Sequence, residues 1–167
     1  MINIIVADAS ALQAMPSLCS AENKIQMMSE MTTRVEDGDL CFPRAVALDL
    51  RTTARDEPIA SWASGLGRSL DPYKADIKYM RPLMGYVKQC GYEDGFDSLT
   101  GEEPSIADVG RLACRYQAEG KNFVIASEDT GEGPLSPTME QLCAAASWNM
   151  IDAREALTCL GLSSYLS

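Results

Sequence analysis

Two short apolar runs, each stopped by an acid, constrain this chain more than anything else in it. Residues 2–7 are nearly all apolar and rich in isoleucine, and Asp8 follows at their carboxyl end. Asn122 to Ala126 contains Phe-Val-Ile and runs into Ser127-Glu128-Asp129. Continuous apolar runs of this length, without polar alternation, are the pattern of strands buried on both faces of a parallel sheet. Parallel strands need long crossovers, usually helices. The intervening sequence must therefore supply them.

It reads as a series of helices and short strands. Ser20 is expected to cap a helix with Ile25, Met28 and Val35 on one face, ended by Asp37-Gly38-Asp39. Leu40-Cys41-Phe42 reads as a second strand, and Pro43 suits the first turn of a helix that buries Val46 and Leu50. Ile59, Trp62, Ala63 and Leu66 recur at helical spacing before Gly65 and Gly67 break the pattern. A helix over 75–90 puts Ile77, Met80, Met84 and Val87 on one stripe, with a kink expected at Pro82. An acidic, glycine-containing loop covers 91–103. Ser105 then opens a helix lined by Ile106, Val109, Ala113 and Tyr116 up to Gly120. Ser136-Pro137 reads as a cap followed by proline at the first helical position, and Asn149-Met150-Ile151 as a short strand. Asp152-Ala153-Arg154-Glu155 resembles a capping box for the last helix. The order is mainly βαβα, which predicts an α/β fold, a three-layer α/β/α arrangement around a small central parallel sheet. The 167 residues suit one domain, 1–167.

Composition narrows the chemistry. Hydrophobic residues make up 46% of the chain and charged residues 23%, which excludes a mainly disordered or fibrous protein. Histidine is absent, so Ser-His and Cys-His catalysis and histidine zinc sites are excluded. If the chain is an enzyme, its chemistry runs on carboxylates, metals, hydroxyls or lysine. The amino terminus has no basic segment before its apolar run, and no stretch is apolar for the roughly 18 residues that span a bilayer. A cytoplasmic location, no membrane partner, and six reduced, mostly buried cysteines without a Cys-x-x-Cys pair are the expectations. The net charge of −10 opposes general adhesion to nucleic acid, so any nucleic-acid binding needs a local basic patch.

In a parallel sheet, ligands gather beyond the carboxyl ends of the strands. Asp8 and Asp129 fall at that rim, Asp108 lies in the first turn of the helix feeding the later strand, and Asp49 sits three residues after Val46 on an early helix. Each has an ordinary reading as well. Asp8 can simply start a turn, Asp108 can complement a helix dipole, worth roughly 0.3–1 kcal/mol, and Asp49 can be one polar position on a solvated face. Ser127 to Gly131 also reads as a plain polar turn. Their joint order is what carries information.

In that order the chain resembles the PIN (PilT N-terminal) domain family, in its compact bacterial branch, over nearly its whole length. Val6-Ala7-Asp8-Ala9-Ser10-Ala11-Leu12 looks like the family's opening strand followed by aspartate and a small hydroxyl residue. The stretch from Phe42 to Leu50 looks like its proline-led helix with the second acid, here Asp49 where glutamate is usual. Ser105 to Ala113 is similar to its Ala-Asp helix, with Asp108. Val124 to Asp129 resembles its strand running into Thr-x-Asp, with Ser127 in place of threonine; Glu128 adjoins Asp129, and the pattern favours Asp129. The resemblance implies a metal-dependent endoribonuclease that hydrolyses RNA phosphodiester bonds with Mg²⁺ or Mn²⁺. Asp8, Asp108 and Asp129 are the implied ligands, and Asp49 is a ligand or water-orienting base. Ser10, Ser127 and Glu128 are supporting residues, and Arg44, Arg51, Arg55, Arg111 and Arg115 are implied contacts to the RNA backbone. It also implies a toxin restrained by a small antitoxin protein, often as a homodimer.

Two further classes fit the same residues. One is a catalytically inactive PIN-fold binding or regulatory module, favoured by the net charge and by Asp49. The other is an unrelated acidic α/β enzyme or receiver-like domain with Asp8 and Asp129 on Mg²⁺ around a phosphate, against which stands the missing lysine at the end of a late strand. No Walker loop and no Gly-x-Gly-x-x-Gly occurs, so nucleotide-binding readings lose support.

Overall fold

Both apolar runs form strands and pair with each other at the centre of one sheet. The computed structural model describes residues 3–96 and 103–167, so Ile2 of the first run and 97–102 of the acidic loop lie outside the described residues. Strand β1 (Ile4–Ala7) is flanked by β2 (Leu40–Cys41) and β3 (Phe123–Ala126), and β3 by β4 (Met150–Ile151). The order is β2-β1-β3-β4 and every pairing is parallel. Ile5, Val6, Ala7, Ile125 and Ala126 are fully buried, as strands covered on both faces must be. The fold is α/β with helices flanking a small parallel sheet in three layers.

The helices are α1 (Ala9–Ala14), α2 (Lys24–Asp37), α3 (Arg44–Thr53), α4 (Pro58–Gly65), α5 (Met80–Gln89), α6 (Ser105–Ala118), α7 (Met139–Ala146) and α8 (Ala153–Cys159). Most lie where the apolar spacing put them, but several local expectations need correction. Helix α2 starts at Lys24 after Asn23, so Ser20 does not cap it. Its buried face is Met27, Met28, Met31 and Val35, while Ile25 is 85% exposed. The unbranched methionines make the better core side. Gly38, with φ +85°, closes this helix in the left-handed conformation that glycine adopts at least cost.

Residues 75–90 are not one kinked helix. A 3₁₀ turn at Ile77–Tyr79 precedes α5, and Ile77 is exposed. Pro82 sits in the first turn of α5, where the backbone N–H groups have no intrahelical acceptor to lose. Helix α7 is capped by Thr138 rather than Ser136: the Thr138 hydroxyl accepts from the Gln141 amide, and the Gln141 side chain accepts from the Thr138 amide. Asp152 does cap α8, by accepting from Glu155 N. All six cysteines are free. Burial pushes the Cys114 and Cys143 thiols up to about 12, which keeps them protonated and poor nucleophiles.

Helices α5 and α6 approach closely at Gly110. A Cβ built there would lie 2.6 Å from Leu83 Cδ1 and 3.1 Å from Cδ2, and Leu83 is fully buried. Alanine would gain up to about 1 kcal/mol of helix propensity, against overpacking that costs about 1–3 kcal/mol. Valine gains less propensity and fills more space. Gly110→Val should therefore destabilise the protein by about 2 kcal/mol, read as a lower urea midpoint at constant slope.

Candidate functional site

The register of β1 and β3 builds the centre of the site. Ala7 lies opposite Ala126, so Asp8 and Ser127 leave the sheet level with each other. Asp8 N donates to Ala126 O at 3.1 Å. Beyond that last ladder bond, the Asp8 side chain caps α1: its Oδ1 accepts from Ala11 N at 3.0 Å and from the Ser10 hydroxyl at 2.7 Å. Its Oδ2 accepts from the Ser127 hydroxyl. Ser10 Oγ in turn accepts from Glu128 N at 2.9 Å, and Ser127 Oγ from Asp129 N at 3.0 Å. Both serine protons are thus committed to Asp8, and both serine oxygens hold the backbone of the Glu128-Asp129 turn.

Asp8 is only 1% exposed. Burial raises its pKa above the ordinary 3.8 despite hydrogen bonds from Ser127, Ser10 and Ala11 N, and the nearby charge of Asp129 raises it further. Among the described residues neither Asp8 nor Asp129 has a salt-bridge partner.

Asp129 and its neighbour point to different helices. Asp129 Oδ2 accepts from Met139 N at the start of α7, 3.0 Å away, while Glu128 Oε1 accepts from Ala153 N at the start of α8, 2.9 Å away. Asp129 is therefore the acid that acts on Asp8, and Glu128 fastens α8 to the rim.

Asp49 and Asp108 line a groove between α3 and α6. Helix α6 runs back against the strands, so its first turn lies on the carboxyl side of the sheet, and α3 packs against it. Ser105 Oγ donates to Asp49 Oδ2 at 2.6 Å across this contact. Asp108 is ion-paired to Arg111, whose other terminal nitrogen lies 3.2 Å from Glu103. Asp49, Asp108, Thr52, Ser105, Glu103 and Ser136 share a groove of about 580 Å³. Ser136 belongs to the loop between β3 and α7 that carries Asp129, and α1, capped by Asp8, packs on α3. The four acids thus occupy the same end of the molecule.

Of the four expected acids, Asp8 and Asp129 lie close enough to influence one another, and Asp49 and Asp108 line one groove. Among the described residues no group of three or more acidic, cysteine or histidine side chains is placed to hold a metal ion. The donor chemistry of the Asp8-Asp129 pair still suits a hard divalent ion: Mg²⁺ takes oxygen ligands and often uses only one or two carboxylates, keeping water for the rest. Asp8 Oδ2 and both Asp129 oxygens retain acceptor capacity beyond the bonds described.

The expected arginines also divide. Arg44 pairs with Asp71; Arg111 is held by Asp108 and Glu103; Arg115 lies 3.5 Å from Glu119 and donates to Pro72 O and Lys74 O. Arg51 and Arg55 have no partner among the described residues. Nothing local in the sequence ties Ser105 to Asp49, 56 positions away. No family model, no curated protein and no solved structure matches the chain. The functional reading rests on the geometry and on the resemblance of its motifs.

Proposed function

We propose that this chain is a divalent-metal-dependent endoribonuclease of PIN type. The observation that carries the reading is the buried Asp8 beside Asp129, without a salt-bridge partner among the described residues, at the carboxyl rim of a parallel sheet. A desolvated carboxylate beside a second one disfavours double ionisation, and a bound cation reverses that balance. Asp8 and Asp129 would hold Mg²⁺ or Mn²⁺, and that ion would supply a water of lowered pKa and charge stabilisation at the phosphodiester. Ser10 and Ser127 fix the Asp8 carboxylate through their hydroxyl protons. Asp49, fixed by Ser105, faces the adjoining groove as the group suited to orient water; Asp108 is the further ligand that the resemblance implies. A toxin role, a restraining antitoxin with a basic segment, a homodimer and a cytoplasmic location belong to this reading through the resemblance alone.

A second reading has its own support. The Arg111 guanidinium already neutralises Asp108, and the described residues contain no three-acid metal group. These favour a PIN-fold binding module without catalysis.

The discriminating experiment incubates the purified chain with single-stranded RNA and Mn²⁺ or Mg²⁺, with and without EDTA, and titrates the same metals calorimetrically. Cleavage that EDTA abolishes is the expected result. A folded protein that neither binds metal nor cuts would overturn the nuclease reading in favour of the binding module.

A further inference from the structure

Residues 127–138 join β3 to α7 with neither helix nor strand among them. Each residue of such a segment keeps its backbone freedom unless something fixes it, yet Asp129 and Ser136 both have defined places in it. The fasteners converge on Gln141, in the first turn of α7. Its Oε1 accepts from Gly133 N at 3.2 Å and from Thr138 N at 3.0 Å, which occupies both lone pairs. The Tyr92 hydroxyl lies 3.0 Å from the same oxygen and donates to Gly133 O at 2.5 Å. Gly133 is therefore held at both its N–H and its C=O. Nearer the strand, Thr138 Oγ1 donates to Gly131 O at 2.8 Å, Gly131 N to Glu140 Oε1 at 2.9 Å, and Glu140 N to Asp129 O at 3.1 Å. With Met139 N on Asp129 Oδ2, Asp129, Gly131 and Gly133 are all tied to the start of α7.

Beyond Gly133 the chain turns too tightly for a side chain, since a Cβ built there would lie 1.7 Å from Ser136 O. That turn leads into Ser136, which lines the groove of Asp49 and Asp108. Tyr92 comes from the turn after α5, and α5 packs on α7. Cys90, at the end of α5, donates from Sγ to Gln141 O at 3.3 Å. The segment is thus gripped from two elements at once.

We propose that Tyr92 and Gln141 are positioning residues, a latch that holds Asp129 beside Asp8 and so sets the geometry at which the carboxylate rim takes a divalent cation. The latch stands on its hydrogen bonds; its effect on metal binding and cleavage rests on the metal-site reading above. The geometry also identifies the property of Gln141 that matters. Among the described residues only Oε1 of its amide has partners. Glutamate supplies the same acceptor at the same reach, whereas methionine has the length without a comparable acceptor.

The test compares the full chain with Gln141→Met, Gln141→Glu and Tyr92→Phe, all at a temperature where each is folded. Calorimetry reads Mn²⁺ binding, steady-state kinetics read RNA cleavage in Mn²⁺, and amide hydrogen exchange in EDTA reads the segment itself. Gln141→Met should weaken Mn²⁺ binding or lower kcat by about 10–100-fold, the usual cost of removing the support of a metal ligand, with KM and the Gln141→Glu variant within about threefold of wild type. Tyr92→Phe, which frees only the Gly133 carbonyl, should fall at the lower end of that range, and it carries the test if Gln141→Met does not fold. In the methionine variant the Gly133 and Met139 amides should exchange about tenfold faster or more, while Ile125 N, bonded to Asn149 O inside the sheet, should not change, because the opening is local. If Gln141→Met loosens those amides yet binds Mn²⁺ and cuts like wild type, the latch is structural only and the proposal is overturned. Unchanged exchange at Gly133 and Met139, or a glutamate variant as loose as the methionine one, overturns it as well. A wild type that neither binds Mn²⁺ nor cuts removes the metal-site reading, and the hold on Asp129 then stands or falls with the exchange of the Met139 amide.

Discussion

Asp8→Asn should lower metal-dependent RNA cleavage by at least about 100-fold while leaving the protein as stable as wild type, or more stable, at neutral pH. The activity loss follows from its proposed place as a metal ligand, because changing groups that merely orient ligands already costs about 10–100-fold. The stability gain follows from linkage. Burial raises the Asp8 pKa above 3.8 in the folded chain, so between that value and the raised one the folded state binds more protons than the unfolded. Stability contributed by this group is then lost as pH rises through that window. Asparagine is the uncharged counterpart: its carbonyl can accept from Ala11 N and Ser10, and its amide can donate to Ser127 Oγ once that hydroxyl turns. The difference in melting temperature between variant and wild type should grow in the variant's favour from about pH 4 upward and then level off. Thermal melts from pH 3 to pH 8 alongside cleavage assays check both halves. A variant that cuts within tenfold of wild type would remove Asp8 from the site, and one that melts lower at pH 7 than at pH 4 relative to wild type would show that its charge stabilises the fold.

That one residue can be both legible and functional reflects what a sequence encodes locally. Asp8 and Asp129 were visible because each closes an apolar run, and the parallel register of Ala7 with Ala126 then brings them together. The partners of Asp49 and Asp108 are not visible there: Ser105 reaches Asp49 through the packing of α3 against α6, and Arg111 pairs with Asp108 across one helical turn and with Glu103. Ile25 was misplaced because spacing alone cannot separate two adjacent faces when one carries Met27 and Met31. The Thr138-x-x-Gln141 capping box, by contrast, was written in the sequence, and the proline after Ser136 drew attention from it. Likewise, the sequence does not distinguish the five arginines, whose partners are set by tertiary packing. Free guanidinium groups are a property of the fold, and only Arg51 and Arg55 of those five have them among the described residues.

The largest stability effect should come from Phe42, which joins the sheet to the helix carrying Asp49 and Arg51. It follows β2 directly, is fully buried, and its ring centroid lies 5.9 Å from that of Trp62 on α4. Trp62 is itself fixed by a 2.8 Å bond from its Nε1 to Thr32 Oγ1 on α2. Phe42→Ala therefore empties the place where β2, α2 and α4 meet, and the neighbours are too well anchored to collapse into it. The expected cost is about 3–5 kcal/mol, a large share of the 5–15 kcal/mol typical of a whole domain, and roughly 6–20 °C in melting temperature for a chain of this size. Phe42→Leu keeps most of the volume and should cost less than about 1.5 kcal/mol. Because Pro43 and the start of α3 follow immediately, the alanine variant should also weaken RNA binding at temperatures where it is still folded, whereas the leucine variant should not. Urea unfolding resolves the effect as a shift in midpoint with constant slope. A loss under about 1 kcal/mol for Phe42→Ala would mean that this junction relaxes freely, and α3 would then owe its position to α6 and α1 rather than to the strand that leads into it.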